Sequence, residues 1–128
     1  NLDYVRSRGI CVSEKCTADY AERTGRNLAV DRLSHRVASD ARTAIEDWNA
    51  GSVESLVQDL SQAVRRAKPT LPISVSSHAG YLPLRLEGTN SIRWLNKGWI
   101  DLILHIEYAQ RQGIRMDVLQ RALSEIDD

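Results

Sequence analysis

The chain has no phenylalanine, one methionine, three prolines and two cysteines in 128 residues. Without phenylalanine, the core has to be built from aliphatic side chains and from Trp48, Trp94 and Trp99. Two cysteines fall short of the four ligands, usually in close pairs, that a structural zinc site takes, and His35, His78 and His105 lie far from them in sequence. Cys11 and Cys16, spaced C-x4-C, are therefore expected as two reduced thiols of a cytoplasmic protein, with a local disulfide as the alternative. Net charge is absent too. Seventeen basic residues balance seventeen acidic ones, which removes the field that would draw the chain to nucleic acid or to an anionic membrane and leaves only local basic patches. No apolar run approaches the roughly 18 residues needed to span a bilayer, and no charged-then-apolar leader opens the chain. The expectation is a soluble protein with neither a membrane nor a nucleic-acid partner.

What is present fits one globular domain. Hydrophobic content of 42% and charged content of 27% match ordinary folded proteins, and a chain of this size buries roughly two thirds of its unfolded surface. Fourteen of the seventeen cations are arginine, a residue suited to bidentate pairing with carboxylates or phosphates.

Periodicity points to a mainly α protein, a four- to five-helix bundle over residues 1–128 with an irregular N-terminal arm at 1–12. Ser13 or Thr17 caps a first helix that Gly25 ends. Val30, Leu33, Val37, Ala41, Ala44, Ile45 and Trp48 form one helical stripe over 28–49, which Gly51 should stop. Ser52 then caps another helix, with Val53, Leu56, Val57, Leu60, Ala63, Val64 and Ala67 on its buried face and Pro69 and Pro72 beyond it. Between 71 and 88 the period falls to two, as Ile73 and Val75 alternate with serines and Leu82, Leu84 and Leu86 alternate with Pro83, Arg85 and Glu87. This predicts a β-hairpin turning at residues 78–80, or an extended insertion. A last helix carries Val118, Leu119, Ala122, Leu123 and Ile126, after a stop at Gly113 and Ile114.

Residues 90–112 read as one long helix with apolar side chains on two sides. Ile92, Leu95, Trp99, Leu102, Ile103, Ile106 and Ala109 make a core face. Ile100, Leu104 and Tyr108, with Trp94 nearby, make a second face suited to self-association. Beside it, Lys97, Asp101 and His105 recur every four residues. On a helix these three are expected to form an exposed ion-pair ladder; the alternatives are a polar network at a subunit interface and a catalytic arrangement, in which Asp101 would orient the imidazole of His105 and leave its other nitrogen as a base. Carboxylates for a divalent ion are sparse. Glu54 and Asp59, five apart, diverge on a helix, and Arg42 four before Glu46 predicts surface pairing. Arg65, Arg66 and Lys68 sit where cations offset a helix C-terminus.

The strings LVQDLSQAVRR at 56–66 and IDLILHIEYAQRQGI running into VLQRAL at 100–123 resemble the all-α nucleotide pyrophosphohydrolases typified by MazG, over about a third of the chain. The resemblance implies a helical, dimeric architecture and, as an alternative function, magnesium-dependent hydrolysis of nucleoside triphosphates. That family holds magnesium with E-E-x-x-E and E-x-x-D motifs; the matching positions here are Ser55, Leu56 and Asp59, then Lys97 and Ile100, so only Asp59 keeps an acid. The functional expectation is a binding protein that self-associates through residues 90–112 and recognises another protein or a small-molecule ligand, with the hydrolase and a nucleic-acid accessory role as alternatives.

Overall fold

A computed structural model describes residues 1–3, 5–7, 9–77, 87–106 and 116–126. The described residues are mainly helical, with five helices and a two-stranded parallel sheet. In chain order these are α1 (Glu14–Thr24), α2 (Leu28–Ser34), α3 (Ser39–Ala67), β1 (Ser74–Ser77), α4 (Ser91–Asn96), β2 (Leu102–His105) and α5 (Met116–Leu123).

α1 starts and stops where its caps predict. The Ser13 hydroxyl accepts from the Cys16 amide, and Gly25 closes the helix at φ +68°. Asn27 caps α2 by accepting from the amides of Ala29 and Val30. The stripe over 28–49 is then interrupted by a turn after Ser34, and α3 begins at Ser39.

α3 runs unbroken through Gly51, so the expected stop is corrected. The sequence does carry a discontinuity there. Ile45 and Trp48 belong to one core cluster with Tyr20 and Leu28, whereas Val53 and Val57 belong to another with Ile73, Val75, Trp94 and Ile100. Trp48 and Val53 are five residues apart, about 140° round a helix axis. The chain answers that change of phase by showing a second face to a second core, not by ending the helix. At 29 residues α3 is about 44 Å long, enough to serve both.

The hairpin is also corrected. β1 forms, but it pairs in parallel with β2, Ser74 opposite Leu102 through Ser77 opposite His105. Its other edge is taken by Leu2, bridged in parallel to Val75. Both edges of β1 are thus occupied by partners other than Leu82, Leu84 and Leu86, which lie outside the described residues together with the 78–80 turn. The N-terminal arm is irregular yet docked: Leu2 and Val5 pack on the core, and Val5 accepts from the Thr89 hydroxyl.

The largest correction concerns residues 90–112. α4 ends after one and a half turns, because Gly98 at φ +67° donates to the Leu95 carbonyl while Trp99 donates to that of Trp94. These are the paired reverse bonds of a Schellman stop. Ile100 then enters the core and Leu102–His105 becomes β2. Gly113 and Ile114 lie outside the described residues. Gly88 matters for another reason. It is buried at φ +68°, and an added Cβ would sit 3.0 Å from the Ala50 Cα, so the lead-in to α4 lies directly on the α3 backbone.

Cys11 and Cys16 form a disulfide, which overturns the expectation of two free thiols. The bridge closes a short loop around the Ser13 cap of α1. No helix among the described residues is long and apolar enough to cross a membrane.

Candidate interaction surface

α2 is placed inside out. A surface helix normally buries its aliphatic residues and shows its carboxylates to water. Here Leu28 and Asp31 face inward, and Asp31 is only 4% exposed. Val30, Leu33 and Val37, in α2 and the turn that extends it, are 60%, 82% and 88% exposed, and Val12 beside them is 56% exposed. Val12, Leu28 and Leu33 line a groove of about 410 Å³, rimmed by Arg32.

A polar network enforces this orientation. The Tyr20 hydroxyl, fully buried, donates to Asp31 Oδ2 at 2.5 Å. Arg26 donates to the two Asp31 oxygens at 2.6 and 2.8 Å and reaches Asp40 at 3.0 Å. α1, α2 and α3 are thereby tied at one point. The Arg26 bonds, with help from Tyr20, pull the Asp31 pKa from 3.8 down to about 2. Burial, then the bond to Asp31, pushes Tyr20 up to about 12. Arg26 is held charged by the same contacts, and it lowers Asp40. Beneath the network, Tyr20 meets Trp48 edge-on at 5.3 Å, and the Trp48 indole donates to Asp19 at 2.6 Å, which lowers that carboxyl. A buried, fully paired carboxylate such as Asp31 fixes geometry more reliably than it adds stability.

The residues singled out by helical spacing at 97–108 do not converge. Lys97 lies in the turn after α4, 3.2 Å from Glu54 and over the Trp99 ring. Asp101 stands before β2, where it accepts from the Ile73 amide at 2.7 Å and from Arg65 through both oxygens at 2.7 and 2.8 Å. The Ile73 amide first, then Arg65, keeps its pKa low. His105 closes β2 opposite Ser77. Four residues of strand separate Asp101 from His105 by about 13 Å, so the carboxylate and the imidazole do not meet as they would on a helix. Among the proposed interface residues, Ile100 and Trp94 are buried in the core, and only Leu104 is exposed. Tyr108 lies outside the described residues. Asp59 is exposed on α3, and among the described residues no three His, Cys, Asp or Glu side chains gather into a group that could hold a metal ion.

No family model matches the chain, and neither a curated protein nor a solved structure matches it. The surface is therefore read from its own chemistry. Spacing predicts Val30, Leu33 and Val37 on the core face of a helix, whereas the structure turns them to solvent. One signal pointed the other way: Asp31, beside Arg26 and five residues before Arg36, interrupts that stripe with a carboxylate.

Proposed function

We propose that the protein is an interaction module that self-associates through the outer face of α2. The observation that carries this reading is the exposure of Leu33 and Val37, the two most exposed large aliphatic side chains in the chain's described part. Val30, Leu33 and Val37 are spaced three and four apart, a pattern nearly the same in both chain directions. Two copies crossing antiparallel at Leu33 therefore set Val30 of one against Val37 of the other, the self-complementary arrangement of a two-fold dimer. This relocates self-association from residues 90–112, where Leu102 and Leu104 are the exposed large aliphatic side chains among the described residues and Ile92, Trp94 and Ile100 are buried.

Fully burying a valine or leucine contributes roughly 1.5–3 kcal/mol. Weighted by their exposure, Val12, Val30, Leu33 and Val37 supply about 6 kcal/mol per copy, or about 12 kcal/mol for two. Association costs roughly 4–15 kcal/mol, so the expected complex is weak and assembles in the micromolar range or above. The Cys11–Cys16 disulfide supports an oxidising compartment for this protein, in place of the cytoplasm expected from sequence.

The test is sedimentation velocity over a concentration series. The wild-type chain should move from monomer toward dimer as concentration rises, and Leu33→Asp should remain monomeric throughout. A wild-type mass that stays monomeric up to millimolar concentration, or a Leu33→Asp variant that associates as well as the wild type, would overturn the reading.

A further inference from the structure

A concavity of about 520 Å³ opens between the loop at Ile10, the turn after α2 and the first half of α3. Its volume lies in the range of small-ligand sites. Ile10 and Ile45 give it an apolar lining, while His35, Arg36, Arg42 and Glu46 bring both signs of charge to the same opening. The spacing of Arg42 and Glu46 predicts a helix-surface ion pair between them. The structure breaks that expectation: Arg42 donates through Nε to the His35 carbonyl and through Nη2 to the Arg36 carbonyl, each at 3.2 Å. These carbonyls belong to the electron-rich end of α2, which holds the guanidinium in place. His35 Nδ1 donates to the Arg32 carbonyl at 2.6 Å, which fixes the ring at the rim of the opening. Among the described residues, the Arg36 guanidinium and the Glu46 carboxylate make no hydrogen bond or ion pair. Two opposite charges at one apolar-lined opening, each without a partner among the described residues, form a complementary pair for a ligand that carries both.

We propose that this cleft binds a zwitterionic ligand with an apolar body, of dipeptide size. Its carboxylate meets Arg36 and the remaining Arg42 donors, its ammonium meets Glu46, and its side chains rest on Ile10 and Ile45. The proposal stands on the cleft alone and does not depend on self-association. The test is titration calorimetry with L-leucyl-L-leucine, its N-acetyl form, which lacks the ammonium, and its C-terminal amide, which lacks the carboxylate. The free dipeptide should bind, and masking either charge should weaken it about tenfold, in line with one charge-assisted hydrogen-bonded contact. Arg36→Gln should weaken the dipeptide and the N-acetyl form about tenfold and leave the amide unchanged; Glu46→Gln should do the reverse. Neither side chain has a partner to lose among the described residues, so both variants should fold and melt like the wild type. Absence of heat with the dipeptide, equal binding of all three probes, or variants that bind as the wild type does would each overturn the proposal.

Discussion

Replacing Asp31 by Asn tests whether the inverted placement of α2 is held by charge. The substitution keeps the shape and leaves the Tyr20 hydroxyl an acceptor, but it removes the negative charge and turns an amide N–H₂ toward Arg26. Asp31 is buried and Arg26 is about one-third exposed, so the loss falls below the roughly 3–5 kcal/mol of a fully buried pair. The pKa offers a second route to the same magnitude. A folded-state value of about 2 against an ordinary 3.8 corresponds to about 2 kcal/mol. With α2 held in its present placement, both routes give a cost of about 2–3 kcal/mol, so a fall in Tm of about 10 °C for a chain of this length is the upper limit. The sign of the pH dependence follows from the lowered value: this stability is complete above pH 4 and is lost as pH falls toward 2. Urea titrations at pH 7, 4, 3 and 2 should therefore show the wild-type and Asp31→Asn chains converging in stability as the solution becomes acidic. A variant as stable as the wild type at pH 7, or a gap that stays constant down to pH 2, would refute the view that this carboxylate pins α2.

Two further substitutions probe the scaffold. Gly88→Ala places a methyl 3.0 Å from the Ala50 Cα at a backbone φ of +68°; strain and overpacking together should cost about 3 kcal/mol or more, read as a drop in the urea midpoint. Removing the disulfide with Cys11→Ser and Cys16→Ser opens only a short loop, so the expected loss is about 2 kcal/mol by chain entropy, and thermal melts with and without reductant should differ for the wild type but coincide for the double variant.

Legibility from sequence followed how local the determining interaction was. The first helix, its Ser13 cap and its Gly25 stop depend on neighbours within a few residues and are readable directly. The last helix is readable in the same way, from the stripe at Leu119, Ala122 and Ile126. The 90–112 segment is ambiguous in sequence because its leucines and isoleucines satisfy a three-and-four spacing while Ile100–Ile106 is equally a short apolar run after a glycine. Lys97 followed by Gly98 is an ordinary helix ending, and giving it priority over the stripe would have separated α4 from β2. The parallel pairing of β1 with β2 joins residues 28 positions apart and leaves no local mark. At Gly51 the local signal was real, but its outcome was set by two cores that only the folded chain brings to α3. The candidate surface is not legible for a related reason: spacing identifies an apolar face, and only the Tyr20–Asp31–Arg26 contacts decide which way it points.

Those contacts set up a competition whose balance links stability to association. Rolling α2 by about half a turn would bury Val30, Leu33 and Val37, a gain of roughly 5 kcal/mol from their present exposure. The same movement would expose Leu28, at a loss of roughly 2–3 kcal/mol, and break the Asp31 network, at a further loss of about 2–3 kcal/mol. The two sides nearly cancel, so the polar network decides the outcome, and weakening it should let α2 turn its aliphatic face inward. Asp31→Asn is therefore expected to lower self-association as well as stability, although Asp31 itself is buried away from the surface. Sedimentation of this variant at pH 7 should show less dimer than the wild type at equal concentration. If Asp31→Asn destabilises the fold as expected yet associates undiminished, the network stabilises α2 without governing which face it presents.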